Sequence, residues 1–146
     1  MERYFSGLAV IDLPQKALRR RSQELAKAAS EVSNENSRAL LLFYSAECGL
    51  KAIYMAKNAL KSTSASHSVK SASSFNHRID DLIIALKVPS ATVAPRPADL
   101  ALKGTTTVVS VGELNQVWRY GGSLADQTTI LIWLEAVVAY AKKELL

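Results

Sequence analysis

Residues 37–61 read SRALLLFYSAECGLKAIYMAKNALK, and this stretch decides the fold. It contains no proline, and its apolar side chains recur every three or four residues, which is the spacing of one helix face. The residues on this stripe are Leu40, Phe43, Tyr44, Glu47, Leu50 and Tyr54. Gly49 lies in the middle, where glycine costs about 1 kcal/mol relative to alanine. The pattern therefore predicts a long core helix that crosses a neighbour closely at Gly49.

Four further helical segments are predicted around this core helix. They cover residues 14–32, 76–87, 112–120 and 125–144. Asp12 and Gln15 have the spacing of a capping box at the start of the first segment. Residues 105–111 have the β-branched composition of a strand, but no second strand is available to pair with them. We therefore predict an all-α fold, an antiparallel four-helix bundle with one additional short helix.

The composition indicates one globular domain over residues 1–146. Hydrophobic residues make up 49% of the chain and charged residues 21%, which is ordinary for a globular protein. Residues 61–74 contain seven serines and no apolar periodicity, so a mobile loop is expected at about 61–75. Cys48 is the only cysteine and cannot form an internal disulfide, which favours a cytoplasmic location.

The charge is moderately basic and unevenly distributed. Eighteen Lys and Arg residues against thirteen Asp and Glu give a net charge of +5, and residues 1–61 carry most of the excess. Arg19, Arg20 and Arg21 are candidate nucleic-acid contacts, although a solvated helix face is the simpler explanation for them. The most apolar stretch, residues 130–141, includes Glu135 and is shorter than the roughly 20 residues that span a bilayer. No membrane contact is predicted.

The last predicted helix is apolar on two faces. One stripe is Leu131, Leu134, Val138 and Ala141, and the second is Ile130, Trp133, Val137 and Tyr140. A helix in a bundle buries one face, so a second apolar face needs another cover. We expect the second stripe to pack on another copy of the chain or on a partner protein; the short helix at residues 112–120 is the alternative cover.

Three motifs in order resemble the HEPN family of helical bundles. The segment FYSAECGLKAIYMA at residues 43–56 resembles the family's AE-x-x-LKA signature. HRIDDLI at residues 77–83 resembles its histidine followed by a short apolar helix, and WRYGG at residues 118–122 resembles its Arg-Tyr step. The resemblance covers about residues 14–146 and implies the HEPN helical fold.

The resemblance also implies a range of activities. Many HEPN proteins are metal-independent RNases of toxins, phage defence or CRISPR effectors, with two copies of an Arg-x4–6-His motif meeting across a dimer. Others lack the motif and accompany a nucleotidyltransferase or another partner. This chain contains only His67 and His77, and neither follows an arginine at that spacing. A divergent RNase here would have to use Arg119 and His77 instead.

A candidate polar site follows from the anomalous acid on the core helix. Glu47 lies on the apolar stripe, and a buried carboxylate needs a partner. Lys51 is one turn away, and Arg119 enters just before the last helix. With His77 and Tyr120 these residues either form a binding site or act as a structural ion pair. No spacing indicates a metal site, and no glycine-rich phosphate loop or other cofactor motif is present.

The leading functional hypothesis is therefore a non-catalytic or divergent HEPN-like protein. It would act as an oligomeric or partner-binding subunit, in contact with RNA, in a prokaryotic defence or toxin–antitoxin system. One alternative is the divergent metal-independent RNase using Arg119 and His77. A second alternative is a helper subunit of a nucleotidyltransferase.

Overall fold

The computed structural model describes residues 11–98 and 100–146. Five α-helices lie in these ranges, α1 (Gln15–Glu31), α2 (Glu35–Lys57), α3 (Ile79–Ala85), α4 (Leu114–Arg119) and α5 (Gln127–Glu144). Two 3-10 turns, Ala72–Phe75 and Val111–Glu113, precede α3 and α4. Isolated bridges such as Ala101↔Val108 are the only β pairing in the described part of the chain, so the strand composition of residues 105–111 does not yield a strand. The all-α prediction is confirmed.

The core is built around α2, which contacts α1, α3, α4 and α5. The residues along α2 that are most deeply buried include Ala39, Phe43, Ala46, Leu50, Ala52 and Met55. Three helices meet at Gly49, where an added Cβ would lie 2.7 Å from Cβ of Ala141 and 2.8 Å from Oγ of Ser22. The expected close crossing at this glycine is therefore present, and it involves α1 and α5 together.

The predicted cap of the first helix is wrong. Pro14 is the N-cap of α1, and no side chain caps the helix there. The carboxylate of Asp12 instead accepts a hydrogen bond from the backbone N–H of Ser64 at 3.0 Å, which lowers the pKa of Asp12. Asp12 therefore ties the start of α1 to the serine-rich segment, a long-range role that a local capping pattern does not contain.

The segment before α3 is more structured than its serine content suggests. Ala72 and Phe75 are buried in the main core, and the hydroxyl of Tyr54 donates a hydrogen bond to the Lys70 carbonyl at 2.7 Å. Asn76 then adopts a φ of 51°, a conformation that asparagine tolerates better than most residues. The predicted helix over 76–87 consequently begins only at Ile79, which leaves His77 on a turn ahead of it.

The second apolar stripe of α5 is already covered by the chain itself. Ile130, Trp133 and Val137 are all buried, and only Tyr140 remains partly exposed. The indole N–H of Trp133 donates to the carbonyl of Ala94 at 3.1 Å, so the connector after α3 supplies part of the cover. Three of the four side chains expected to meet a partner are therefore unavailable at the surface of this chain.

Of the described residues, α2 alone is long and apolar enough to cross a membrane by length and composition. In this helix 67% of the most apolar window is buried inside the fold, as in a core helix.

Candidate functional site

The candidate site is a polar cluster on the face of α2 that looks away from α1. Ser45 and Gly49 meet α1, and Glu47 lies two residues from each of them. Because each helical residue turns by about 100°, Glu47 projects from roughly the opposite side of α2. The sequence therefore divides α2 into an α1-facing side and a side that carries the acid.

Glu47 binds two partners, one with each of its carboxylate oxygens. Lys51 Nζ donates to Oε2 at 2.7 Å, one helical turn along α2. His77 Nδ1 lies 2.8 Å from Oε1. The Glu47 side chain is 13% exposed and that of Lys51 is 11% exposed, so the carboxylate and the ammonium neutralise each other in a largely dry environment.

The Glu47 carboxylate determines which nitrogen of His77 faces outward. An ionised carboxylate only accepts hydrogen bonds, so Nδ1 carries the proton that it receives. The other nitrogen, Nε2, has no hydrogen-bond partner among the residues described, and the side chain is 43% exposed. This arrangement resembles that of an acid–base histidine, in which a carboxylate fixes the tautomer and leaves Nε2 free to exchange a proton.

Arg119 joins the same surface through Tyr44, one turn before Glu47 on α2. Its guanidinium donates to the Tyr44 hydroxyl at 2.6 Å, and the phenols of Tyr44 and then Tyr120 raise the pKa of Arg119. The Tyr44 ring also packs edge-on against the His77 ring, with centroids 6.4 Å apart. Tyr44 therefore contacts both the arginine and the histidine.

The structure brings together most of the predicted polar site, with two changes. Glu47, Lys51 and His77 form one bonded group. Arg119, which the sequence offered as another partner for Glu47, bonds to Tyr44 instead. Tyr120 is 78% exposed at the edge of the site. Asp81, four residues after His77, pairs with Arg78 at 2.9 Å.

Sequence reasoning missed Tyr44 and Asn115. Tyr44 belongs to the apolar stripe of α2 by periodicity, and its position three residues before Glu47 places both on one face. Asn115 on α4 is buried, and its Nδ2 approaches the Tyr44 hydroxyl at 3.5 Å. Its Oδ1 is buried without a partner among the described residues.

The basic run on α1 lies apart from this cluster. Arg20 and Arg21 are exposed, and Arg21 pairs with Glu24 at 3.3 Å, while Arg19 is partly covered. α1 packs on the Ser45 side of α2, so the three arginines and the His77 cluster are on different sides of the core helix. A nucleic acid bound at one place would have to wrap around α2 to reach the other.

A metal site is not evident within residues 11–98 and 100–146. No group of three or more His, Cys, Asp or Glu side chains is arranged there to hold a metal ion. The ligands closest to such a group, Glu47 and His77, are already bonded to each other. The cluster itself contains an imidazole, that of His77, and the guanidinium of Arg119 bonded to Tyr44.

No family model, curated protein or solved structure matches this chain.

Proposed function

We propose that this chain is an HEPN-like helical bundle that cleaves RNA without a metal ion, with His77 and Arg119 at its active site. The observation that carries the proposal is the Glu47–His77 contact at 2.8 Å, which leaves Nε2 of a half-exposed imidazole without a partner among the described residues, on the surface where Tyr44 also bonds to Arg119. These are the two residues of the alternative considered from the sequence, a divergent RNase without the usual Arg-x4–6-His motif. The four-helix bundle, the homo-oligomer and the cytoplasmic location belong to the same proposal and rest on the helical periodicity, on the apolar stripes of the last helix and on the single cysteine. The defence or toxin setting rests on the motif resemblance.

The proposed reaction is an internal transfer within the RNA. His77 Nε2 removes the proton from a 2′-hydroxyl, and the resulting oxygen attacks the adjacent phosphorus. The bond to the 5′-oxygen breaks, and that oxygen takes a proton from water, which leaves a 2′,3′-cyclic phosphate and a 5′-hydroxyl. Arg119 contacts the non-bridging oxygens and stabilises their negative charge in the transition state. Glu47 stabilises the imidazolium that forms on His77.

The direct test is cleavage of a labelled RNA oligonucleotide in the presence of EDTA. General acid–base catalysis contributes about 10²–10⁴-fold, so His77→Ala is expected to lose at least a hundredfold in rate. Arg119→Ala is expected to lose a similar factor. The matched control is His67→Ala, because His67 is the other histidine, is exposed and bonds to the Asn58 carbonyl away from the cluster. An oligonucleotide with 2′-deoxy sugars should remain intact.

The same experiment separates the catalytic proposal from the partner-binding one. The absence of the usual nuclease motif favours a non-catalytic subunit that binds a partner protein or a nucleotidyltransferase. Uncleaved RNA at enzyme excess, or cleavage that survives His77→Ala and Arg119→Ala in folded protein, contradicts the RNase proposal. In either case the cluster is a structural ion pair; uncleaved RNA favours the partner-binding function in its place, and surviving cleavage places the activity at other residues.

A further inference from the structure

Asn115 is a buried polar side chain that the fold itself does not explain. It is 1% exposed, and its Oδ1 is the only buried side-chain oxygen or nitrogen without a hydrogen-bond partner in the part of the chain that the structure describes. An unpaired buried acceptor costs free energy of folding, and leucine fills nearly the same space without that cost. Stability therefore favours leucine at this position, and the asparagine needs another explanation.

The Asn115 amide and the Arg119 guanidinium converge on one atom, the hydroxyl oxygen of Tyr44. Asn115 Nδ2 lies 3.5 Å from this oxygen, and Arg119 Nη2 donates to it at 2.6 Å. Four residues separate Asn115 from Arg119 on α4, so the two side chains project from the same face of that helix. Because Asn115 is buried and Arg119 is exposed, the amide approaches the hydroxyl from the core and the guanidinium approaches it from the surface.

This arrangement limits how the Arg119 side chain moves. An exposed arginine has several rotatable bonds, and ordering it in one geometry costs side-chain entropy. The contact with Tyr44 holds the guanidinium, but a phenol hydroxyl turns about its C–O bond unless a second group holds it. The Asn115 amide is that second group. Its 3.5 Å approach is long, as catalytic hydrogen bonds often are without substrate, and such contacts tighten when the substrate binds.

We propose that Asn115 is a positioning residue for RNA cleavage. It holds the Tyr44 hydroxyl, and the hydroxyl holds the Arg119 guanidinium against the phosphate of the RNA. This inference rests on the proposed RNase function and adds a buried residue to it that does not touch the substrate. A positioning role differs from a structural one in a measurable way, because removal of the amide lowers the rate of cleavage without lowering stability.

Asn115→Leu tests the inference in the RNA cleavage assay with EDTA. A misplacement of about 1 Å costs up to about 100-fold in rate, so kcat is expected to fall at least about tenfold while KM changes little. The midpoint of urea unfolding should stay the same or rise, because the unpaired oxygen is gone. The matched control is Gln116→Leu, the same change at the next and exposed position of α4, which should keep the wild-type rate. Unchanged cleavage in Asn115→Leu, or a joint loss of cleavage and stability, overturns the inference.

Tyr44→Phe tests whether Asn115 acts through the hydroxyl. This variant keeps the ring that packs against His77 and removes only the oxygen. The double variant Asn115→Leu/Tyr44→Phe should therefore cleave RNA as slowly as Tyr44→Phe alone, since residues that act through one group are not additive. Independent losses that multiply in the double variant contradict a path through Tyr44.

Nitrogen-15 NMR of the Arg119 guanidinium separates this inference from the RNase proposal. A guanidinium held at Nη2 rotates slowly about its Nε–Cζ bond, so its two Nη groups should give separate signals in the wild type. These signals should merge in both Tyr44→Phe and Asn115→Leu and stay separate in Gln116→Leu. Wild-type protein that leaves RNA intact contradicts the RNase proposal, and the guanidinium signals then decide whether Asn115 holds Arg119. Signals in Asn115→Leu that match the wild type overturn the inference whether or not RNA is cleaved.

Discussion

α2 carries two polar arrangements on its two sides, and they differ in whether any polar atom is left over. On the α1 side, Ser22 and Ser45 exchange hydrogen bonds with each other's carbonyl, and both residues are buried. On the other side, Glu47 accepts hydrogen bonds from Lys51 and from Nδ1 of His77. Nε2 of His77 takes no part in these bonds, and the His77 side chain is half-exposed. In the first arrangement every side-chain polar atom has a partner within the pair, and we call this the closed side. In the second, Nε2 of the half-exposed His77 is left outside the hydrogen bonds.

This difference separates packing from chemistry on a single helix. A buried hydrogen-bond pair that is complete adds modestly to stability and specifies how two helices align. A half-exposed histidine with a fixed tautomer has an unused proton-transfer group, which stability alone does not require. The Ser22–Ser45 side therefore acts in packing, and the His77 side carries the proposed RNase site.

Gly49→Val is the substitution expected to damage the closed side most. A Cβ at Gly49 would lie 2.7 Å from Cβ of Ala141, and neither group can rotate away. Overpacking in a core costs about 1–3 kcal/mol, and the added methyl groups of valine place this variant at about 3 kcal/mol in the free energy of unfolding. Urea unfolding followed by circular dichroism measures the loss.

The control for this variant is Gly121→Ala, where the space is open. Gly121 has a φ of 84° and nothing within 4 Å of an added Cβ, so the cost is limited to backbone strain of about 1 kcal/mol. If Gly49→Val were no more destabilising than Gly121→Ala, the three-helix crossing at Gly49 would be looser than described.

Cys48 lies between Glu47 and Gly49 on α2, and the reactivity of its thiol depends on burial and on the charge of Glu47. Burial, followed by the negative charge of Glu47, raises the pKa of the Cys48 thiol to about 11. At pH 8 the thiolate fraction is then about a hundredfold smaller than for an exposed cysteine. We expect iodoacetamide to modify the native protein about a hundredfold more slowly than the urea-unfolded protein, measured by mass spectrometry.

Alkylation of Cys48 in the Glu47→Gln variant tests the contribution of the Glu47 charge. Removing the negative charge lowers the thiol pKa, so alkylation of native Cys48 should become faster than in the wild type at the same pH. Native alkylation at the unfolded rate would mean that Cys48 is not buried. An unchanged rate in Glu47→Gln would show that the carboxylate is not charged beside it.

The sequence predicted the parts of the fold that depend on local pattern. The periodicity of residues 37–61 predicted the core helix and the crossing at Gly49, and the anomalous Glu47 on that stripe led to the polar cluster. The contacts of Asp12 and His77 could not be predicted from local pattern, because their partners come from distant parts of the chain. Asp12 binds Ser64, and His77 meets Glu47 across 30 positions of sequence. Local capping rules contain neither contact.

The second apolar stripe of α5 shows a different limit. Hydrophobic pattern predicts that a face is buried, but it does not predict what covers it. Trp133 is buried partly by the connector at Ala94, an irregular segment with no periodicity of its own. Cover by a partner and cover by a loop have the same sequence signature on the helix.

Glu47→Ala is expected to cost about 2 kcal/mol of unfolding free energy. The substitution leaves the Lys51 ammonium 11% exposed and without its carboxylate, and removal of one partner from a buried pair is more costly than removal of both. The double variant Glu47→Ala/Lys51→Met should recover part of this loss in urea unfolding. Equal stability of the two variants would contradict a buried ion pair.

Ser22→Ala is expected to have the smallest effect, about 1 kcal/mol in urea unfolding, because a neutral buried hydrogen bond contributes about that much. Ser45→Ala should cost a similar amount, since its hydroxyl makes the reciprocal bond at 2.8 Å. Neither substitution should change RNA cleavage, whereas Glu47→Ala should lower it, because Glu47 holds the His77 tautomer. If Ser22→Ala reduced cleavage while leaving stability intact, the division of α2 into a structural side and a functional side would be wrong.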